Sequence, residues 1–376
     1  MKYIKLSLKI IGLSLLAIVV LVALVVSVFV NTSPEFGAAP SEAQKKEYAK
    51  TNHYKDELFV NQIASEMDVD YIKGIQEMMT DDPSRQPVRS IEVVKLDSFD
   101  VLSYAAVPRL TWFGHSAFLL EIKKYNILLD PMLGETPAPH PWLGQKRYSK
   151  ELPIEIEELP FIDAVVFSHD HYDHLDYTTI QKIKHKVGMF FVPLGVGNHL
   201  RAWGVDVDKV VELDWWQEAT FEDMTFVCTP SRHFSGRGLF DRSTTLWASW
   251  VLKSDTCAVY FSGDSGFGPH FKEIGDKYGP FDIGLMECGQ YNEQWHAIHM
   301  MPEETVQAGI DIRAKRIVPI HWAAFTLSLH SWTDPIERVM KEANRLSVPL
   351  TSPQIGERFT LDGAGATTKP WWEAYK

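Results

Sequence analysis

The stretch Ser168-His169-Asp170-His171-Tyr172-Asp173-His174-Leu175-Asp176 decides how this chain is read. It crowds three imidazoles among carboxylates directly after the apolar run Ala164-Val165-Val166-Phe167. That run reads as a short buried strand, so the motif sits where a strand ends and its loop opens. Side chains there can converge on one point without helical spacing. Neutral imidazole and carboxylate are the ligands that borderline divalent metals take, zinc foremost. A lone histidine beside an apolar run is most often a satisfied core or surface residue, but His-x-His-x-Asp-His is dense enough to read as a ligand cluster.

A dinuclear site needs further ligands, and other polar residues end apolar runs in the same way. His233 follows Phe226-Val227-Cys228-Thr229-Pro230, Asp264 follows Val259-Tyr260-Phe261-Ser262-Gly263, and His321 follows Ile317-Val318-Pro319-Ile320. Singly, each has an ordinary reading, such as a loop histidine or a turn aspartate after glycine. Together and in this order they form a set that could gather on one edge of a fold.

Strand-like runs cover residues 110–113, 117–122, 125–129, 164–167, 189–192, 225–228, 246–252, 258–261, 283–286 and 317–320. Helical stretches fall at 178–185, 302–314 and 335–346. Pro302-Glu303-Glu304 is a good helix start, with proline in the first turn and acids at the positive end of the dipole. Short strands in two halves, each followed by helices, predict a layered α/β sandwich of two sheets.

The 376 residues, 45% of them hydrophobic, can bury a sizeable core. A net charge of -12 with no basic block argues against nucleic acid as a partner. At the N-terminus, Lys2, Lys5 and Lys9 precede an apolar run from Ile10 to Val30, long enough to span a bilayer and longer than a signal-peptide core. The lysines place the N-terminus in the cytoplasm and the rest across the membrane. Residues 1–30 are therefore expected to be an uncleaved anchor, with cleavage near Ala38-Ala39 as the alternative. Residues 31–90 are polar and helix-leaning, a stalk expected to pack on the domain. Cys228, Cys257 and Cys288 have no paired spacing and read as buried free thiols.

The motifs Thr111-Trp112-Phe113-Gly114-His115-Ser116, Leu128-Leu129-Asp130-Pro131, 168–176, Arg232-His233-Phe234-Ser235-Gly236-Arg237-Gly238, Leu246-Trp247-Ala248-Ser249-Trp250, Ser262-Gly263-Asp264 and Ile320-His321-Trp322 carry a family resemblance. With them the sequence resembles metallo-β-lactamase-fold hydrolases, most closely the N-acyl-phosphatidylethanolamine-hydrolysing phospholipase D group and its bacterial relatives. The resemblance implies an αββα sandwich over residues 91–376, two mixed sheets flanked by helices, behind the N-terminal transmembrane helix. It implies two zinc ions, with Mn2+ or Fe2+ as alternatives: His169, His171 and His233 on one, Asp173, His174 and His321 on the other, and Asp264 bridging. It also implies substrate contacts from Tyr172 and His299.

In such a site the two metals lower the pKa of a bridging water, so hydroxide is the nucleophile, and Asp173 and Asp264 orient it and handle its proton. Arg237 and Arg242 are weak candidates for phosphate and read better as surface charges. The expected activity is phosphodiester hydrolysis of N-acyl-phosphatidylethanolamine-like lipids by an enzyme tethered on the periplasmic side. A lactonase or other ester hydrolase would use the same site, and a non-catalytic metal-binding envelope protein is a third reading that loss of a ligand would favour. All seven ligand positions are chemically competent.

Overall fold

The computed structural model describes residues 2–376 apart from 66, 68–69, 98–100, 102–106 and 368. The helix α1, Lys2–Thr32, comes first and stands almost wholly exposed. It is long and apolar enough to cross a membrane. The chain then turns through Pro34–Phe36 into α2, Glu42–Tyr48, whose N-cap Ser41 and Gln44 close a capping box. A two-residue hairpin, β1 (Tyr54–Lys55) and β2 (Leu58–Phe59), and α3 (Tyr71–Met79) complete this segment.

The first large sheet has the order β15-β3-β4-β5-β6-β7-β8. Its strands are β3 Arg109–Trp112, β4 Phe118–Ile122, β5 Tyr125–Leu129, β6 Ile162–Val166, β7 Val187–Pro193, β8 Val210–Leu213 and β15 Arg358–Thr360. The second, β14-β13-β12-β11-β10-β9, comprises β9 Glu218–Phe221, β10 Met224–Thr229, β11 Ser249–Lys253, β12 Ala258–Phe261, β13 Ile283–Glu287 and β14 Ile317–Ile320. Both sheets are mixed. The pairs β5·β6, β6·β7 and β7·β8 are parallel in the first, β12·β13 and β13·β14 in the second.

Side-chain alternation divides the core in two. Phe118, Leu120, Ile127, Leu129, Ala164 and Val166 point between the sheets, where they meet the face of the second sheet that carries Phe226 and Trp250. Their neighbours Leu119, Leu128, Val165 and Phe167 point outward, under Ile180 and Ile183 of α4 (Tyr177–Ile183) and Leu200 of α5 (Gly197–Ala202). A strand buried on both faces must read as a continuous apolar run, as these do. The other sheet is covered by α6 (His270–Tyr278), α7 (Pro302–Asp311) and α8 (Asp334–Leu346). The fold is the αββα sandwich that the sequence predicts.

The differences have local causes. The run expected over 246–252 forms a ladder only from Ser249, because Leu246 and Ala248 donate their N–H groups to Leu194 and Ser168 of the first sheet's loops. The strands β8, β9 and β15 went unpredicted because charged Glu212, Glu218 and Arg358 interrupt their apolar pattern. The three cysteines are free and buried.

Candidate metal centre

Parallel pairing brings the C-terminal ends of neighbouring strands to one edge, where α/β sheets hold their ligands. Asp130 follows β5, the segment 168–174 follows β6, Asp264 follows β12 and His321 follows β14. His115 lies in the turn after β3, and His233 in the loop after β10. Asp176 closes the metal loop by accepting from Thr179 N at 2.8 Å, which caps α4. Gly263 is needed before Asp264, since its φ is +55° and a Cβ there would lie 2.5 Å from that of Ser168. His115, Asp130 and His321 also have positive φ, a clustering of strain typical of functional sites.

The seven ligand positions form two adjoining groups. His169, His171, His233 and Asp264 bring one donor atom each within 4.8 Å of one another. The Nδ1 of His171 lies 2.9 Å from His169 Nε2 and 3.2 Å from His233 Nε2. Asp264 Oδ2 is 3.8 Å from the Nε2 atoms of both His169 and His233. Four donors around a zinc-sized ion lie about 3.3 Å apart, given Zn–N near 2.0–2.1 Å, so this spacing fits. In the second group His174 Nε2 lies 3.2 Å from Asp264 Oδ1 and 3.5 Å from Asp173 Oδ2, and His321 Nδ1 lies 3.1 Å from Asp264 Oδ1. Asp264 thus offers one oxygen to each group. Its Oδ1 and the Nε2 of His174 are buried without a hydrogen-bond partner, which fits donor atoms of a metal site.

The electrostatics agree. Burial pushes the imidazoles of His169, His233 and His321 well below their ordinary pKa, and that of His171 down to about 4. They are neutral and ready to donate lone pairs. Burial also works against a charge on His174, but Asp264, Asp173 and Asp130 outweigh it and raise that imidazole well above its ordinary value. Burial lifts Asp264 to about 6, partly offset by His174.

The same strand-end rule finds two supports that were overlooked, Asp130 and Glu287. Asp130 Oδ2 accepts from His174 Nδ1 at 2.7 Å and from Ser168 Oγ at 2.5 Å, and Ser168 Oγ is 2.9 Å from His169 Nδ1. Such supports fix the tautomer and aim of ligating imidazoles. Glu287, fully buried at the end of β13, lies 2.5 Å from His299 Nδ1 and accepts from Ser265 N and Met300 N. His115 Nε2 meets Asp173 Oδ2 at 2.9 Å, and the Asp173, His174, His321 group also includes His115 as a fourth donor. From the segment expected to be a stalk, Asn61 exchanges two hydrogen bonds with the backbone of His233, at 2.7 and 3.1 Å.

A mouth of about 300 Å³ opens over the centre, lined by His171, Asp173, Asp264, His299 and His321 together with Met67, Phe234, Trp295, Ile298 and Leu327. His299 faces it. Tyr172 is not among its lining residues: its hydroxyl donates to Arg237 O at 2.7 Å and its ring borders a separate cavity of about 520 Å³. Arg237, expected to be a surface charge, is buried and donates to the carbonyls of Asp170 and Leu175, stacking on Tyr172 and Trp203. Asp170, inside the motif, turns away from the centre. Burial opposes its charge, but His199, His171 and Thr245 hold it well below the usual carboxylate range.

Residues 125–322 match the model of the beta-lactamase superfamily domain, and the chain belongs to that family of metal-dependent hydrolases. An uncharacterized protein of Mycobacterium tuberculosis is 45% identical over 270 residues, covering 70% of this chain and 71% of that one. The N-acyl-phosphatidylethanolamine-hydrolyzing phospholipase D 1 of Caenorhabditis elegans is 34% identical over 229 residues, 58% of this chain and 64% of its own length. Among solved structures, a metallo hydrolase of Ignicoccus hospitalis shares the fold with a TM-score of 0.51 at 22% identity, over 68% of this chain and 98% of that one.

Proposed function

We propose that this chain is a dinuclear metal-dependent phosphodiesterase of the phospholipase D type, cleaving N-acyl-phosphatidylethanolamine-like lipids to phosphatidate and an N-acylethanolamine. The observation that carries the reading is the position of Asp264, with one oxygen toward each ligand group. His169, His171 and His233 would hold one ion, Asp173, His174 and His321 the other. Bound there, zinc or a similar cation would supply an activated water and neutralise charge on the phosphate.

The remaining roles fall to the chain's own residues. Asp173, half-buried at the mouth, orients the water and accepts its proton. His299, aimed by Glu287, contacts the phosphodiester from the opposite wall. Phe234, Trp295, Ile298 and Leu327 give the mouth apolar walls for an amphiphilic substrate. Tyr172 serves as a brace beneath the loop. The C. elegans relative supports the substrate class, and α1 would hold the enzyme at the lipid surface on the periplasmic side.

Hydrolysis in isotopically labelled water by the full chain in lipid vesicles tests this. The label should enter phosphatidate. Label in the alcohol alone, or lactone opening with no phosphodiester turnover, would contradict the reading.

A further inference from the structure

We infer that the loops 139–143 and 237–241 form a seat on the bilayer surface, flanking the point where α1 leaves it. The inference rests on reading α1 as a membrane anchor. The apolar run of α1 from Ile10 to Val30 is about 31 Å long at 1.5 Å per residue, close to the roughly 30 Å of a hydrocarbon core. The headgroup level therefore falls at residues 29–32, where the body of the protein begins.

At that level Phe29 meets Trp142, ring centroids 6.4 Å apart, and Phe36 at 5.5 Å. Trp142 is 71% exposed and Leu143 follows it into solvent. Tryptophan with one face on a membrane helix and the other open is the arrangement of an interfacial belt. The helix is not free to swing away from this position. Trp203 Nε1 donates to Pro34 O at 2.6 Å, Arg237 Nε to Glu35 O at 2.8 Å, and Ala38 N to His199 Nδ1 at 3.1 Å. Phe36 packs edge-on against Tyr172 at 6.4 Å.

Arg237, fixed to the helix exit in this way, opens the second loop, whose tip carries Leu239 and Phe240. Phe240 is 95% exposed. Single exposed apolar side chains need no explanation, but two exposed aromatic tips tied to the end of one spanning helix do. A lipid surface meets them at the depth the helix sets. Because Arg237 also holds the carbonyls of Asp170 and Leu175, the seat and the metal loop form one rigid piece. The standoff of the metal mouth from the lipid is then fixed.

The test uses the full chain in lipid nanodiscs. Cys228, Cys257 and Cys288 are buried, so one introduced exposed cysteine takes the label. A polarity-sensitive fluorophore is placed at Trp142→Cys, Phe240→Cys or, within the span, Leu21→Cys, and quenched by lipids spin-labelled near the headgroup or deep in the acyl chain. The label at 21 should lose emission to the deep quencher. Labels at 142 and 240 should shift to the blue and lose more emission to the shallow quencher. If 21 is quenched while 142 and 240 keep water-like emission, the seat is overturned and the anchor stands. If 21 escapes quenching, the anchor reading fails and the seat with it. A blue shift at 142 and 240 that grows with protein concentration and is indifferent to both quenchers would mark a contact between chains and overturn the seat.

Discussion

One half of the candidate metal centre is richer in imidazole, the other in carboxylate. His169, His171 and His233 share a single oxygen of Asp264, and burial keeps those imidazoles neutral. Across Asp264, the donors of Asp173, His174 and His321 lie with Asp130 and His115 close behind, and burial of His174 is outweighed by these carboxylates, which raise its imidazole well above the ordinary value. The difference teaches how two cations can be held side by side. The first half would hold a cation with three neutral imidazoles and one carboxylate oxygen, the second with more carboxylate charge, and the shared aspartate would couple them.

The largest effect should come from breaking the shared group. Asp264→Ala is expected to lower metal content in both halves and nearly abolish turnover, as read by elemental analysis and lipid hydrolysis. Separating the halves comes next. Asp173→Ala or His174→Ala should cost the second ion and several orders of magnitude in turnover while circular dichroism stays unchanged. His171→Ala should spare that ion and cost the first. Asp130→Asn, which changes the direct support behind His174 and reaches His169 only through Ser168, should weaken the second ion about 10–100-fold and the first by less. Glu287→Gln should leave both ions bound and lower kcat about ten-fold by loosening His299.

The smallest effect concerns acid stability. Burial pushes His270, which lies outside the cluster beside Ser265, down to about 3. An unfolded histidine, near 6.5, binds the proton first, so stability is full above about pH 6.5 and is lost as pH falls toward 3. One such group contributes at most about 1.4 kcal/mol per pH unit. Urea melts of the metal-free chain should weaken below about pH 6.5, the buried cluster imidazoles adding to the effect, and His270→Gln should lower the slope by one group's share.

The fold, and the gathering of the expected ligand residues at one edge, were legible because doubly buried strands leave continuous apolar runs, and because the parallel edge puts the next polar residue there. Asp130 and Glu287 obey the same rule and could have been found by it. His115 lies in the motif Thr111-Trp112-Phe113-Gly114-His115-Ser116, but its partner Asp173 is 58 residues away and reached only through folding. Asn61 gave no signal at all: a polar residue in a polar segment becomes a support for His233 only because the hairpin β1–β2 docks nearby, with Phe59 N donating to Ser243 O. Arg237 was misread for a related reason. Its partners are backbone carbonyls and an aromatic face, which no charge pattern reveals.

X-ray absorption at the metal edge of the full chain, purified with its native metal and paired with elemental analysis, tests the central claim most directly. Two ions per chain should be found, each with nitrogen and oxygen neighbours, a heavy scatterer in the adjoining site and no sulfur, since no cysteine lies among the ligand groups. A single ion per chain, or sulfur in the coordination shell, would contradict it.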